Sequence, residues 1–459
     1  MTIAQPTYNR QHADWSMRLK GLLIALCAAL VSPHLLASTF DNEAGRYQLT
    51  ALPQADREAL RMDRMQLSDQ QPAGRHVRKG ESIRISTEGL PEGYGLDALI
   101  GFRPMWGSAL DQQEEPLDEG EIRFIANQDG PLFFRFTAPE GRDDARGEVS
   151  VSVSGGRPLP LYVDGSMSAV EWRAELAAHA KAPFVQLFGD QAMITLPTAV
   201  HARDPVRDPR ASFAMINRML DLENELAGFD GKTRRDRPTP LRTHFLVDFR
   251  VSKADAENFY MYATDQFIGM LADNTSDLTD PAALRERWGI WHEAGHTQQQ
   301  NSWTWDALAE INVNLFSMYV QEAFGQPGRL HVSEDGEPST LERARDYLAA
   351  GGHDLLAEVD DEDGEEFFIR LVMFHQLKQV WGWDLYKDLH KYFRAYPLAE
   401  DASDQEKADA LVLALCHLTG VDLRDFFQSW GLTVSAAADE RIVALEYAAP
   451  DEDFSQIFE

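Results

Sequence analysis

The N-terminal third of the chain alternates apolar and polar residues in short segments. Four of these segments are rich in β-branched or aromatic residues and are separated by Gly, Pro, Asn and Asp turns: Ser82–Ser86, Ile122–Ile125, Leu132–Phe136 and Glu148–Val153. Alternation with a period of two is typical of strands that bury one face. Several short strands at this spacing predict an accessory β-sandwich at residues 38–156, and the Gly- and Pro-rich stretch at 155–160 marks its end.

Longer apolar periods follow from residue 161 onward. Two segments have the period of an amphipathic helix, 168–182 and 209–227, and three are typical of strands, 186–197, 243–250 and 260–270. Helices mixed with strands predict an α+β domain. In a chain of 459 residues we therefore expect two structural units, the β-sandwich and a second domain at 157–459 with a helical C-terminal part.

The second domain contains the motif His292-Glu293-Ala294-Gly295-His296 within a helical pattern. Residues four apart lie on the same face of a helix, so the imidazoles of His292 and His296 can bind one metal ion. Glu293 projects to one side of this pair, where its carboxylate can take a proton from water. This spacing predicts a zinc hydrolase with Glu293 as the catalytic base.

Capping residues predict the boundaries of two helices around this motif. Thr279-Asp280-Pro281 offers a capping residue followed by proline, so we expect the metal helix to start there and to end near 300–302. A second helix is expected from Asp306 to Glu322, closing at Gly325.

The second helix carries two polar residues of interest. Glu310 and Asn314 are four apart and therefore share one face. Glu310 is the candidate third zinc ligand, and Asn314 is placed to hydrogen-bond the outer atom of a ligand and fix its orientation. A pair of helix histidines without a metal is the alternative, but it would leave Glu293 and Glu310 close together without a counter-ion.

Three further residues are candidates for substrate binding. Met261–Gly269 is the candidate sheet edge that pairs with an extended substrate backbone, a prediction from its position alone, with Gly269 at its end. Trp303 and Trp305 lie between the two predicted zinc helices and could stack on sugar rings, although packing is the commoner role of tryptophan.

The chain is strongly acidic, with a formal net charge of −31. Runs such as 111–121 contribute to this charge. A surface of this kind repels nucleic acid and anionic lipid, so we expect no nucleic-acid partner.

An export signal is predicted at residues 1–37. Arg18 and Lys20 precede an apolar run at 22–31, which small residues near Ala37 follow. The run is too short to span a bilayer stably. We therefore expect a secreted or periplasmic protein without a membrane span.

Two details of this segment affect the mature chain. Met17 directly precedes the basic residues, so translation can start at Met17 instead of Met1. Cleavage near residue 37 would remove Cys27 and leave Cys416 as the only cysteine, so no internal disulfide is expected.

The segments WGIWHEAGHTQQ and WTWDALAEINVNLFSMYVQE resemble the signature of the enhancin-like zinc metallopeptidases, the family of viral enhancins and bacterial proteases that degrade mucins and O-glycoproteins. The resemblance extends upstream to YMYATDQFIG and downstream to LCHLTGVDLRDFFQSWGL, and covers residues 157–435. It implies a zincin fold of the gluzincin type in which His292, His296 and Glu310 bind Zn²⁺ and Glu293 is the base. Thr297-Gln298-Gln299 departs from the family pattern, which affects the expected substrate preference.

The resemblance implies a secreted zinc endopeptidase that hydrolyses peptide bonds of glycoproteins, with mucin-like O-glycosylated proteins as the implied substrates. Two alternatives stay open at this stage. One is a glycan- or protein-binding adhesin that retains a zinc site with little turnover, and the other is a general peptidase that is indifferent to sugars.

Overall fold

The computed structural model describes residues 38–103, 111–141, 147–248, 260–333, 337–359 and 364–458. The predicted export signal at 1–37, with Met1, Met17 and Cys27, lies outside the described residues. The last two residues of the predicted strand at 243–250 also lie outside them.

The described residues of the N-terminal part form ten strands and one helix. The strands are β1 Thr39–Asp41, β2 Arg46–Thr50, β3 Gln70–Val77, β4 Ser82–Glu88, β5 Gly95–Ile100, β6 Gln113–Pro116, β7 Gly120–Ile125, β8 Gly130–Thr137, β9 Glu148–Ser154 and β10 Arg157–Pro158, and helix α1 is Ala55–Met62. They form two antiparallel five-stranded sheets, in the orders β1-β2-β9-β4-β7 and β10-β3-β8-β5-β6. All four segments predicted from alternation lie within strands.

Alternating side chains of these two sheets share one apolar core. In β9, Val149, Val151 and Val153 are buried while the serines between them are exposed. Phe134 and Phe136 of β8, in the other sheet, belong to the same core cluster. The period-two pattern of the sequence thus sets which face of each strand is buried.

A third sheet has six strands and mixed direction. Its strands are β11 Leu161–Val163, β12 Phe184–Phe188, β13 Ala192–Pro197, β14 Thr243–Val247, β15 Met261–Thr264 and β16 Phe267–Met270. Their order is β11-β12-β13-β14-β16-β15, so β15 lies at one edge and β16 is paired on both sides. Three helices accompany this sheet: α2 Ala169–Ala178, α3 Thr198–Arg203 and α4 Pro209–Leu226.

The rest of the described chain is helical. Its α-helices are α5 Thr275–Thr279, α6 Pro281–Leu284, α7 Trp288–His296, α8 Asp306–Asn312, α9 Asn314–Ala323, α10 Thr340–Ala350, α11 Glu365–Trp381, α12 Asp384–Ala395, α13 Asp404–Thr419, α14 Arg424–Ser429 and α15 Ala436–Ala444. Short 3-10 turns occur at Ala272–Asn274, Asn301–Trp303, Arg329–His331 and Phe454–Gln456. The mixed α+β class predicted from the sequence is confirmed. Among the described residues, no helix is both long and apolar enough to cross a membrane.

The N-terminal sheets pack against the third sheet and against the segment after α7. Leu99 and Phe133 share an apolar cluster with Met193 and Leu246 of the third sheet. The Asp63 carboxylate, just after α1, accepts a hydrogen bond from the Ser302 backbone at 3.1 Å. The described chain from residue 38 onward accordingly forms one compact unit. The division at residues 156 and 157 stays a prediction from the sequence.

Cys416, on α13, is the only cysteine of the described residues. Its side chain is buried, and its sulfur accepts a hydrogen bond from the Leu423 backbone at 3.3 Å. Burial raises the pKa of this thiol to about 11. The thiol therefore stays protonated at neutral pH.

Candidate metal centre

Helix α7 presents one apolar face and one polar face. Ile290, Trp291 and Ala294 are buried in the core that also contains α4 and the third sheet. The Trp291 indole donates a hydrogen bond to the Leu284 carbonyl at 2.8 Å, which fixes this face. His292, Glu293 and His296 lie on the other, partly exposed face. Burial of the apolar face therefore points the polar residues outward.

Gly295 lets α7 approach the next helical segment closely. A Cβ at this position would lie 3.1 Å from Cβ of Phe316 and 3.2 Å from Cγ2 of Val313. Most real Cβ contacts are longer than this, so a larger residue would push the helices apart. The glycine inside the motif thus has a packing reason, and the short separation brings Glu310 to the histidines.

Three ligand atoms converge between α7 and α8. His292 Nε2 lies 3.0 Å from Glu310 Oε2 and 3.1 Å from His296 Nε2, and His296 Nε2 lies 3.6 Å from Glu310 Oε1. Both imidazoles are largely buried, whereas half of the Glu310 side chain is exposed. The cluster therefore faces solvent on the side of the carboxylate.

Two amides orient the imidazoles. Asn314 Oδ1 lies 2.9 Å from His292 Nδ1, and Gln299 Oε1 lies 2.6 Å from His296 Nδ1. Because an amide oxygen only accepts, each Nδ1 carries the proton and each Nε2 has a free lone pair. The Asn314 amide nitrogen also donates to the Glu310 carbonyl at 2.8 Å. Asn314 thus contacts both helices that carry the ligand atoms.

This arrangement fits a zinc ion. The two Nε2 lone pairs and the Glu310 carboxylate face one another at 3.0–3.6 Å. They repel one another unless a cation lies between them. Two imidazoles and one carboxylate are a donor set typical of catalytic zinc, which keeps one position open. Burial opposes ionisation of Glu310, but the adjacent His292 and His296 rings outweigh it and lower the pKa of the carboxyl. Burial likewise acts against protonation of His296, yet the adjacent Glu310 carboxylate raises the pKa of the imidazole. Glu310 is therefore ionised at neutral pH, as a metal ligand must be.

Glu293 lies between the histidines and the edge strand. Burial raises the pKa of Glu293, while the adjacent His292 and His296 lower it by less. The backbone of Ala263, on β15, lies near this carboxylate and also acts to lower its pKa. The carboxyl thus lies next to the ligand cluster on one side and next to β15, the edge strand of the described sheet, on the other.

Both tryptophans proposed to stack on sugars are buried. Trp303 and Trp305 are each 1% exposed and belong to the core of the helical region. The Trp303 indole donates to the Gln300 side-chain oxygen at 3.1 Å, and the Trp305 indole donates to the Leu355 carbonyl at 3.2 Å. The sugar-stacking prediction is wrong for both, because neither ring has a face open to a ligand.

Gly269 lies away from the open edge. It is buried in β16, which pairs with both β14 and β15, opposite Leu246 and Tyr262. A Cβ at this position would clash with the Tyr262 ring, so the glycine makes room for that ring. The prediction that Gly269 contacts substrate is therefore wrong. Within Met261–Gly269, only β15 forms the edge.

The helix boundaries also differ from the prediction. The metal helix starts at Trp288, because Asp280 instead caps the short α6 by accepting from the Ala282 backbone at 2.9 Å. The helix ends at His296. The second predicted helix is interrupted at Val313, which separates α8 from α9. Glu310 and Asn314 consequently lie on either side of this interruption.

Two residues of the site were not identified from the sequence. Gln299 appeared only as a departure from the family pattern, yet it holds His296 and donates to the Ala309 carbonyl at 2.6 Å. The Trp288 indole donates to Asn314 Oδ1 at 3.0 Å and so fixes that amide. The signal available in the sequence for Gln299 was its position three residues after His296, a candidate metal ligand.

Comparison with known proteins identifies the family. The model of the family described as "Peptidase M60, enhancin and enhancin-like" matches residues 155–431. The accessory colonization factor AcfD of Vibrio cholerae is 26% identical over 361 residues, which cover 67% of this chain and 22% of AcfD. The match to this chain thus spans less than a quarter of that relative.

Solved structures share the fold. A functionally unknown conserved protein from Bacillus anthracis str. Ames has a TM-score of 0.75 at 26% identity, with 89% of this chain and 80% of that chain covered. The M60 catalytic domain of ZmpC from Clostridium perfringens, in complex with the sialyl T antigen, has a TM-score of 0.67 at 16% identity and covers 89% of this chain and 81% of its own. This second likeness shows the fold alone. Since the family model covers more than half of the residues and includes the whole ligand cluster, the chain belongs to the peptidase M60, enhancin and enhancin-like family.

Proposed function

We propose that the protein is a zinc-dependent endopeptidase that cleaves glycoproteins, with mucin-like O-glycosylated proteins as substrates. The observation that carries this proposal is the convergence of His292, His296 and Glu310, with Glu293 directly beside them. Three protein ligands and an adjacent carboxylate are what a hydrolytic zinc site requires. The family assignment supports a metallopeptidase.

The side chains have separate roles in this proposal. His292, His296 and Glu310 hold the ion, which supplies a Lewis acid and makes water more acidic when bound. Glu293 accepts the proton of the attacking water and passes it to the leaving amine. Asn314 and Gln299 keep the imidazole lone pairs directed at the ion.

Strand β15 is the proposed platform for the substrate backbone. In the described part of the sheet, β15 pairs on one side only, with β16. An extended peptide can add to such an edge through main-chain hydrogen bonds. The proximity of the Ala263 backbone, on this edge, to the Glu293 carboxylate supports a substrate position next to the base. A peptide on β15 would therefore present a scissile bond near the metal ligands.

The preference for glycoproteins rests on the family and on one structural relative. The M60 domain of ZmpC was solved with a sialyl T antigen, a glycan antigen. We propose a substrate of the same class here. Incubation of the protein with a mucin-type glycoprotein, with and without a chelator, tests this proposal. Metal-dependent fragments support it, and an absence of fragments at full zinc occupancy overturns it.

Two controls separate the remaining alternatives. Enzymatic removal of O-glycans before incubation should abolish cleavage, and mass-spectrometric mapping should place the cut sites next to glycosylated residues. Cleavage that is unaffected by deglycosylation would identify a general peptidase. Retention of the glycoprotein without fragments would instead identify an adhesin. Endopeptidase activity is favoured over adhesion because Glu293 lies beside the ligands, where binding alone does not need a base.

The domain organisation and location complete the proposal. We infer an accessory β-sandwich at 38–156, supported by the shared core of the two N-terminal sheets, and a gluzincin-type zincin domain at 157–459. Export by a signal at 1–37 would place the protein in the periplasm or outside the cell. N-terminal sequencing of the precursor and of the exported protein tests the start codon and the cleavage site.

A further inference from the structure

A second group of metal-binding side chains lies far from α7 in the sequence. Glu43, in the turn between β1 and β2, approaches Glu175 and His179 at the end of α2. His179 Nε2 lies 2.5 Å from Glu43 Oε1 and 3.7 Å from Glu175 Oε1. One possible ligand atom from each of the three residues lies within 4.8 Å of the other two.

The surrounding structure holds these three residues in place. Glu175 and His179 are four apart at the end of one helix and therefore share a face. The turn that carries Glu43 is anchored by Asn42, whose amide donates to the Leu159 carbonyl at 2.8 Å and to Glu175 Oε1 at 3.3 Å. The Arg75 guanidinium also donates to the Asn42 carbonyl. The cluster thus lies between two anchored segments.

The charges of the cluster are unbalanced. Two carboxylates surround one imidazole, and among the described residues neither carboxylate pairs with a lysine or an arginine. The His179 and Glu175 side chains are only 14% and 17% exposed. His179 Nε2 is buried and forms no hydrogen bond of normal geometry. A buried nitrogen directed at two carboxylates is stabilised by a cation between them.

The position of His179 at the end of α2 also favours a bound cation. His179 is the C-terminal cap of α2, where the last carbonyl groups carry partial negative charge. A divalent cation would balance the two carboxylates, and a neutral imidazole would supply its nitrogen ligand. Zinc accepts a mixed set of imidazole and carboxylate ligands, whereas calcium prefers oxygen ligands alone.

We propose that Glu43, Glu175 and His179 bind a divalent transition metal, with Zn²⁺ as the best-matched ion. The ion ties the turn between the first two strands to α2 and so stabilises the contact between these segments. This site shares no residue with the catalytic cluster, and its existence does not depend on the proposed peptidase activity.

Zinc content of the full-length protein tests the proposal. After loading and dialysis we expect about two zinc ions per chain by elemental analysis. Glu43→Gln and His179→Ala should each lower the content to about one and leave peptidase activity unchanged. His292→Ala should also lower it to about one, but with loss of activity. Glu43 is the safer position, because its side chain is 59% exposed and its replacement leaves the core intact.

A matched control excludes weak surface binding. Glu92 is an exposed carboxylate in a loop of the N-terminal sheets, and Glu92→Ala should keep the wild-type zinc content. Zinc added to metal-free His292→Ala protein should raise Tm by on the order of a few degrees, and the additional change Glu43→Gln should remove this shift. Unchanged zinc content in both Glu43→Gln and His179→Ala would overturn the proposal. A wild-type content of one ion that His292→Ala removes would overturn it as well.

Discussion

The two clusters of histidines and carboxylates use similar ligand atoms but differ in what surrounds them. At the catalytic cluster, Asn314 and Gln299 fix the imidazoles and Glu293 lies beside the ligands. At the second cluster, His179 Nε2 forms no hydrogen bond of normal geometry within the described residues, and Glu43 comes from a distant turn. If both clusters bind metal as proposed, the orientation of the ligands and an adjacent base, rather than the ligands themselves, would distinguish a reactive metal site from one that joins segments.

Removal of the third catalytic ligand should have the largest effect. Glu310→Ala leaves two imidazoles to hold the ion, so we expect loss of zinc from this site and loss of peptidase activity together. Elemental analysis and a cleavage assay measure both. The exposed Glu440 on α15 provides a control, since Glu440→Ala should change neither quantity. Full catalytic zinc in Glu310→Ala protein would show that another residue is the third ligand.

Removal of the base should separate chemistry from binding. Glu293→Gln keeps the shape of the side chain but cannot accept a proton, so we expect kcat to fall by about 10²–10⁴-fold. Zinc content should stay at the wild-type level, because Glu293 is not a ligand in the proposed site. Glu286→Gln, at an exposed residue just before α7, is the matched control. An undiminished rate in Glu293→Gln protein would contradict the proposed role.

Loss of the orienting amides should have a smaller effect on the same site. Asn314→Ala leaves the outer nitrogen of His292 without its acceptor, and Gln299→Ala does the same for His296. We expect zinc affinity to fall by about 10–100-fold in each variant, measured by competition with a chromogenic chelator. Asn314→Asp keeps the acceptor and should recover part of the affinity. Equal losses in the Ala and Asp variants would indicate a packing role only.

Substitution at the second cluster should affect activity least. Glu43→Gln removes a ligand that does not belong to the catalytic cluster, so kcat/KM on a mucin-type glycoprotein should match that of the wild type at 25 °C. The effect should appear only as a lower Tm in the presence of zinc. A large loss of kcat/KM at unchanged catalytic zinc would mean that the two clusters are coupled.

The sequence predicts the proximity of His292, His296 and Glu310 because the geometry involved is local. His292 and His296 are one helical turn apart, and Glu310 lies on the next α-helix, after the connection at 297–305. Alternation likewise locates the N-terminal strands, since a period of two decides which side chains face the core. Neither inference requires knowledge of how distant segments pack.

The parts that the sequence could not predict depend on tertiary packing. Trp303 and Trp305 lie in a connection that is polar on average, yet α11 and α13 belong to the same core and cover them. Gly269 and Ala263 lie in adjacent strands, and only the strand order decides which of the two is at the edge. Glu43 meets Glu175 only because the first strands fold back next to α2. The spacing of apolar residues within one segment does not reveal which distant segments pack against it.

The buried Cys416 makes the molecule convenient for site-specific labelling. Because the thiolate is the form that reacts, a thiol with a pKa of about 11 and no exposed surface should resist maleimide reagents at neutral pH. Within the described residues there is no other cysteine to remove. Two introduced cysteines, one beside Glu43 and one on α2, could therefore carry a pair of spin labels on an otherwise native chain. The width of the distance distribution, with and without zinc, would report directly how firmly these two segments are joined.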